Sequence, residues 1–177
     1  MAGRAFGKCE NRETLQHKAC PGLGDEAIRA GLDAIAAIEP GIARALERVG
    51  YPEPRIRPTG HATMLRTIVG QQVSVAAAAS MWRKLQAHVG PDVSPARLLE
   101  SSFDELRACG LSRQKQGYVR SLCELVLAGE IAFDSLPQDD EQAIHLLTRI
   151  KGIGRWSAEI YLLFAEGRAD GSLRLRL

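Results

Sequence analysis

Cysteine is scarce and poorly spaced for metal. The four sulfurs lie at Cys9, Cys20, Cys109 and Cys123. None forms the C-x2-C pairing that zinc and iron–sulfur sites favour, so neither group is expected. Free thiols in a reducing compartment are the plain reading. No apolar run approaches the roughly 18 residues of a membrane span, and no signal-peptide pattern is present. A soluble, cytoplasmic protein without a membrane partner is therefore expected. Charge of one sign is also lacking. Lys and Arg number 23 against 21 Asp and Glu, a net of +2. Any affinity for nucleic acid must then come from local clustering rather than bulk charge. Period-two alternation, long heptad runs and internal repeats are absent too, which argues against sheets, coiled coils and solenoids.

What is present is helical punctuation. With 45% hydrophobic residues in 177, the chain has ample material for one domain, or one domain and a small lobe. Residues 1–24 are rich in glycine and mixed charge and read as a poorly ordered arm. The basic side chains of that arm (Arg4, Lys8, Arg12, Lys18) either touch a polyanion or are simply solvated. Asp25 is placed to cap a helix with Ile28, Leu32, Ile35 and Ala36 on one face. Pro40 suits the first turn of the next helix, which stops at Gly50. Pro52, Pro54 and Pro58 then stiffen a loop, the best candidate for a boundary between two helical lobes. A helix is expected over 61–71, interrupted by Gly70-Gln71-Gln72. Ser74 caps a helix through Ala76–Ala79, an alanine run that favours helix and allows a neighbouring backbone close. Ser94-Pro95 starts a short helix. Ser102 and Glu105 form a capping box, and Ser112 opens a long helix. Asp139, Asp140 and Glu141 sit at another helix start, where carboxylates complement the dipole. The fold class is all-α, with about eight to ten short helices.

One stretch organises the rest: Thr148-Arg149-Ile150-Lys151-Gly152-Ile153-Gly154-Arg155-Trp156-Ser157-Ala158-Glu159. It joins two apolar-periodic segments through Gly-Ile-Gly. The amides after the turn sit at a helix N-terminus without internal partners, which suits an anion such as a DNA phosphate. Arg149, Lys151 and Arg155 flank the turn. A plain helix–turn–helix corner is the alternative.

Joined to Ile68-Val69-Gly70-Gln71-Gln72-Val73-Ser74 and Gly110-Leu111-Ser112-Arg113-Gln114-Lys115, this hairpin resembles the helix-hairpin-helix (HhH-GPD) DNA glycosylases. Within them it is most similar to the 3-methyladenine DNA glycosylase II family, over roughly residues 25–170. The resemblance implies a two-lobed helical domain that hydrolyses the N-glycosidic bond of alkylated bases in double-stranded DNA, acting as a monomer. It implies a phosphate anchor at Gly152 and Gly154 with Lys151 and Arg155 as charge. A monovalent cation on the main-chain carbonyls of Thr148, Ile150 and Ile153 is implied, but no other cofactor. Arg113 occupies the wedge position, where relatives insert a bulky apolar side chain. Lys115 and Arg120 complete a basic group with it, unless that helix face is merely solvated. Trp156 is the pocket candidate, because an electron-rich indole attracts a cationic alkylated purine; ordinary core filler is the alternative. Tyr161 is placed to help, and Gln71 and Gln72 match the family's Gln-Gln turn. Bifunctional relatives carry a nucleophilic Lys where this chain has Trp156, so a monofunctional, water-activating enzyme is implied.

The family's catalytic Asp follows the final helix. Here the chain reaches Gly167-Arg168-Ala169-Asp170, then Gly171 to Leu177 contains no Asp or Glu. Asp170 matches the residue ahead of the catalytic segment and is only a weak candidate. Residues 171–177 read as an atypical tail, consistent with a truncation or frameshift after about Asp170. Low or absent excision, leaving a DNA-binding protein, is the expectation that follows.

Overall fold

The computed structural model describes residues 24–168, and the regular secondary structure among them is all helix. The elements are α1 (Asp25–Ala36), α2 (Pro40–Val49), α3 (His61–Gly70), α4 (Val75–Val89), α5 (Pro95–Glu100), α6 (Phe103–Ala108), α7 (Arg113–Leu127), α8 (Asp140–Leu147) and α9 (Arg155–Ala165). The arm 1–23, Asp170 and the tail 171–177 lie outside the described residues.

The local chemistry sets most of these boundaries. The Ser74 hydroxyl accepts from the Ala77 N–H, Ser112 from Lys115, and Asp139 from Gln142. The capping box is complete: Ser102 accepts from the Glu105 N–H, and the Glu105 carboxylate accepts from the Ser102 N–H and hydroxyl. Asp25 is not a cap. Gly24 holds that position, and Asp25 instead pairs with Arg29 one turn on, at 2.7 Å. In the alanine run of α4, Ala76 and Ala79 are exposed while Ala77 and Ala78 are half-buried.

Helix α3 is the hub. It packs on α4, α7 and α9, and Met64, Leu65 and Ile68 are fully buried along it. Leu85 of α4, Val119 and Leu122 of α7, and Leu147 at the end of α8 close the core around it. α1 and α2 pack on each other and bury no residue completely. The loop 51–60 joins that pair to the rest. At its near end the Tyr51 hydroxyl donates to the Asp33 carboxylate, with the Arg29 guanidinium over the Tyr51 ring. At its far end Arg57 N–H donates to the Phe164 carbonyl at 2.8 Å, and Gly60 N–H to the Tyr161 hydroxyl at 2.7 Å. Among the described residues no helix is long and apolar enough to cross a membrane.

Candidate functional site

The turn between α8 and α9 is held from inside. Ile150 and Ile153 insert into the core, 0% and 4% exposed. Gly152 between them has φ +81°, and a Cβ there would lie 2.3 Å from the Tyr118 ring. Glycine is thus required both for the backbone angle and for the contact. Gly154 caps α9, and among the described residues no side chain bonds the helix amides, so the first turn of α9 presents N–H groups without a partner there. Lys151 N–H is engaged, donating to the Ser121 hydroxyl at 3.1 Å.

The charges around the turn differ from the sequence expectation. Arg155 is not a free cation. Its Nε donates to Glu159 at 2.8 Å, and its two terminal nitrogens grip both oxygens of Glu141. These carboxylates push the guanidinium pKa up. Arg149 pairs with Glu130. Among the described residues the exposed Lys151 ammonium has no ion pair. The anion attraction of this turn therefore comes from the α9 N-terminus and Lys151 more than from three cations.

A cleft of about 730 Å³ opens beside the turn. Its walls are the Gly70–Val73 turn, the first turns of α7, Gly152, and the start of α9. Trp156 stands in it 65% exposed, which rules out the core reading for this indole. The Gln71 amide donates to the Gly152 carbonyl at 2.8 Å and so ties the Gln-Gln turn to the hairpin. Gln72 lines the rim with φ +55°, an uncommon angle for a side-chain-bearing residue. Lys115 reaches across to the Val69 carbonyl at 2.7 Å, near the C-terminal end of α3. Burial pulls its pKa below the usual lysine value. Tyr118 backs the cleft and its hydroxyl accepts from the Gln114 amide at 2.5 Å. Among the described residues no Asp, Glu or His lines the cleft.

The sequence model of one protein family, described as HhH-GPD superfamily base excision DNA repair protein, matches residues 65–166, from α3 to the end of α9. The chain belongs to the HhH-GPD superfamily. Similar proteins include DNA-3-methyladenine glycosylase 1 of Schizosaccharomyces pombe, 31% identical over 60% of this chain and 49% of that protein. DNA-3-methyladenine glycosylase 2 of Escherichia coli is 30% identical over 67% of this chain and 47% of its own. The chain thus spans about half the length of these relatives. Among solved structures, a DNA-3-methyladenine glycosidase from Bacillus halodurans superposes with a TM-score of 0.66 at 32% identity, covering 77% of this chain and 64% of that one. The Schizosaccharomyces pombe 3-methyladenine DNA glycosylase in complex with abasic DNA gives 0.67 at 25% identity, covering 77% and 69%.

Within this HhH-GPD chain several expected site residues sit elsewhere. Tyr161 does not line the cleft. It is 2% exposed, packs on Phe133 with ring centroids 5.3 Å apart, and uses its hydroxyl on Gly60. Arg120 does not belong to a DNA-facing basic group, because it clamps the carbonyls of Leu99 and Ser101 at the end of α5. Lys115 faces the cleft rather than open solvent. Arg113 borders a second cavity, which shares Gly110 and Ser112 with the cleft. Among the three carbonyls considered for a cation, that of Ile150 accepts from the Ile153 N–H at 3.0 Å. Those of Thr148 and Ile153 accept no hydrogen bond from described residues. No group of three or more His, Cys, Asp or Glu side chains converges among the described residues. Sequence reasoning missed Tyr118 as the backing of Gly152. The available signal was its position one helical turn after Gln114 and Lys115, which puts all three on one side of α7.

Proposed function

We propose that this chain is a monofunctional DNA N-glycosylase that hydrolyses the N-glycosidic bond of alkylated bases in double-stranded DNA. The observation that carries the reading is the exposed Trp156 indole in a cleft that begins one residue after an uncapped helix N-terminus. A phosphate seated on the first amides of α9 fixes the strand, with Lys151 adding charge. The damaged base must leave the stack, because its glycosidic bond is shielded within a duplex. Once extruded, a cationic base stacks on Trp156, an attraction of about 0.5–2 kcal/mol. The names of the similar glycosylases support the substrate class. Trp156 stands where bifunctional relatives carry the amine nucleophile, which supports direct hydrolysis without a lyase step. A monovalent cation on the carbonyls of Thr148, Ile150 and Ile153 would add positive charge beside the phosphate.

Hydrolysis builds oxocarbenium character on the sugar, which a carboxylate stabilises while orienting water. The cleft lining holds no acid among the described residues, and Asp170 lies beyond them. That observation favours a second reading, a protein that binds damaged DNA without excising the base. Release of methylated bases from alkylated duplex DNA separates the two. Excision by the chain, lost in Trp156→Ala, supports the glycosylase; loss in Asp170→Asn as well assigns that residue the carboxylate role. Tight preference for abasic over intact duplex with no base release supports the second reading. Absence of DNA binding refutes both.

A further inference from the structure

The cleft beside Trp156 holds one side-chain amine among the described residues, that of Lys115. The residue is half-buried in the first turn of α7, and its Nζ donates to the Val69 carbonyl at 2.7 Å. Burial pulls its pKa below the usual lysine value, and no carboxylate stands close enough to raise it again. A lysine desolvated in this way is neutral more often than one on an open surface, and the neutral amine is a nucleophile toward carbonyl carbon. The Val69 bond holds the amine without consuming it. A neutral amine carries two N–H groups and a lone pair, so one N–H stays on the carbonyl while the lone pair remains available. Lys151, the other lysine near the hairpin, is exposed and does not line the cleft.

We infer that Lys115 holds abasic DNA covalently, its Nζ forming a reversible imine with the open-chain C1′ aldehyde of an abasic site seated in the cleft. The inference rests on the cleft as the seat of a damaged nucleotide, which both readings above share. It is compatible with direct hydrolysis, because the amine acts on the sugar after the base has gone. The Nζ lone pair attacks C1′, and the carbonyl π pair moves to oxygen. One N–H proton passes to that oxygen, a solvent proton joins it, and the oxygen leaves as water. The iminium that results retains one N–H for the Val69 carbonyl. Cutting the strand from there needs a base to take a C2′ proton. Among the described residues no Asp, Glu or His lines the cleft to do so. Water returns lysine and aldehyde by the reverse steps, so the link holds the abasic site without breaking the strand.

Borohydride trapping tests this. A duplex from which a separate enzyme has removed one uracil carries a natural abasic site and asks no excision of this chain. Borohydride reduces the imine to a stable amine, so a covalent protein–DNA adduct is expected with the natural site. None is expected with tetrahydrofuran in its place, which has no aldehyde. Peptide mass after digestion should put the sugar remnant on Lys115, and the adduct should retain DNA on both sides of the site. Lys115→Arg keeps a charged donor for the Val69 carbonyl but cannot form the imine, so the adduct per bound duplex should be lost. A Lys115 that serves only to hold Val69 would leave trapping unchanged in that variant and overturn the inference. The wild-type mapping stands whatever Lys115→Arg does to folding. A remnant on Lys151 or Lys84, or binding of the abasic duplex with no adduct, overturns the inference and leaves the DNA reading in place. An adduct carrying only the 5′ fragment shows elimination and overturns the holding role. Failure to bind either duplex refutes the reading of the cleft on which the inference rests.

Discussion

Replacing Gly152 with alanine probes the hairpin at its tightest point. Two costs arise. Alanine at φ +81° occupies the left-handed region, worth about 1–2 kcal/mol. Its Cβ would also lie 2.3 Å from two Tyr118 ring carbons, so the ring must retreat by roughly an ångström to restore ordinary contact. Tyr118 is not free to do so. It packs against the core, and its hydroxyl is held by Gln114. Overpacking of this kind costs about 1–3 kcal/mol. The sum, roughly 2–5 kcal/mol, is a large part of the about 5–15 kcal/mol that stabilises a domain. In urea, with a slope of about 1–3 kcal/mol per molar, the midpoint should fall on the order of 1–2 M. A double-mutant cycle separates the two costs. In a Tyr118→Ala background the steric part vanishes, and Gly152→Ala should cost only the dihedral part, about 1–2 kcal/mol. A Gly152→Ala variant as stable as wild type, or one equally destabilised in both backgrounds, would refute the reasoning.

Three further outcomes follow from the same geometry. Glu141→Gln weakens the grip on Arg155 and leaves its charge available, so the log–log salt dependence of DNA binding should steepen toward one more phosphate, a slope change of up to about 0.9. An unchanged slope would mean that Arg155 stays on Glu159 in the complex. Tyr161→Phe leaves the Gly60 N–H without its acceptor and should cost about 1–3 kcal/mol in chemical denaturation, with no direct loss of cleft chemistry. Glu105 has its pKa lowered by hydrogen bonds from the Ser102 backbone and side chain. Its contribution is complete at neutral pH and fades as pH falls below the ordinary 4.5 and through the folded value, so Glu105→Gln should flatten the acid limb of the stability–pH curve.

The helices were readable because their ends are written locally. Ser74, Ser102 with Glu105, Ser112 and Asp139 each cap the helix that follows within three residues, and no tertiary contact is needed to see it. The site was less legible because its chemistry is assembled across the chain. Arg155 lies 14 residues from Glu141, and Arg149 lies 19 from Glu130; only the fold shows that these cations are already paired. Lys115 and Arg120 look alike on a sequence, yet one crosses the cleft to Val69 and the other fastens α5. Tyr161 carried an aromatic signature that fits a pocket and a core equally, and its contact with Gly60, 101 residues away, decides for the core. Trp156 was legible as a candidate but not as exposed, since burial is a property of what packs beside it.

The Gln71 amide bridges the two halves of the cleft with a single bond to the Gly152 carbonyl. One end belongs to the turn beside the base site, the other to the turn that seats a phosphate in the proposed reaction. A link of this kind couples the positions of the two turns. In the proposed reaction it sets how far the Gln71–Gln72 turn stands from the turn that would seat a phosphate.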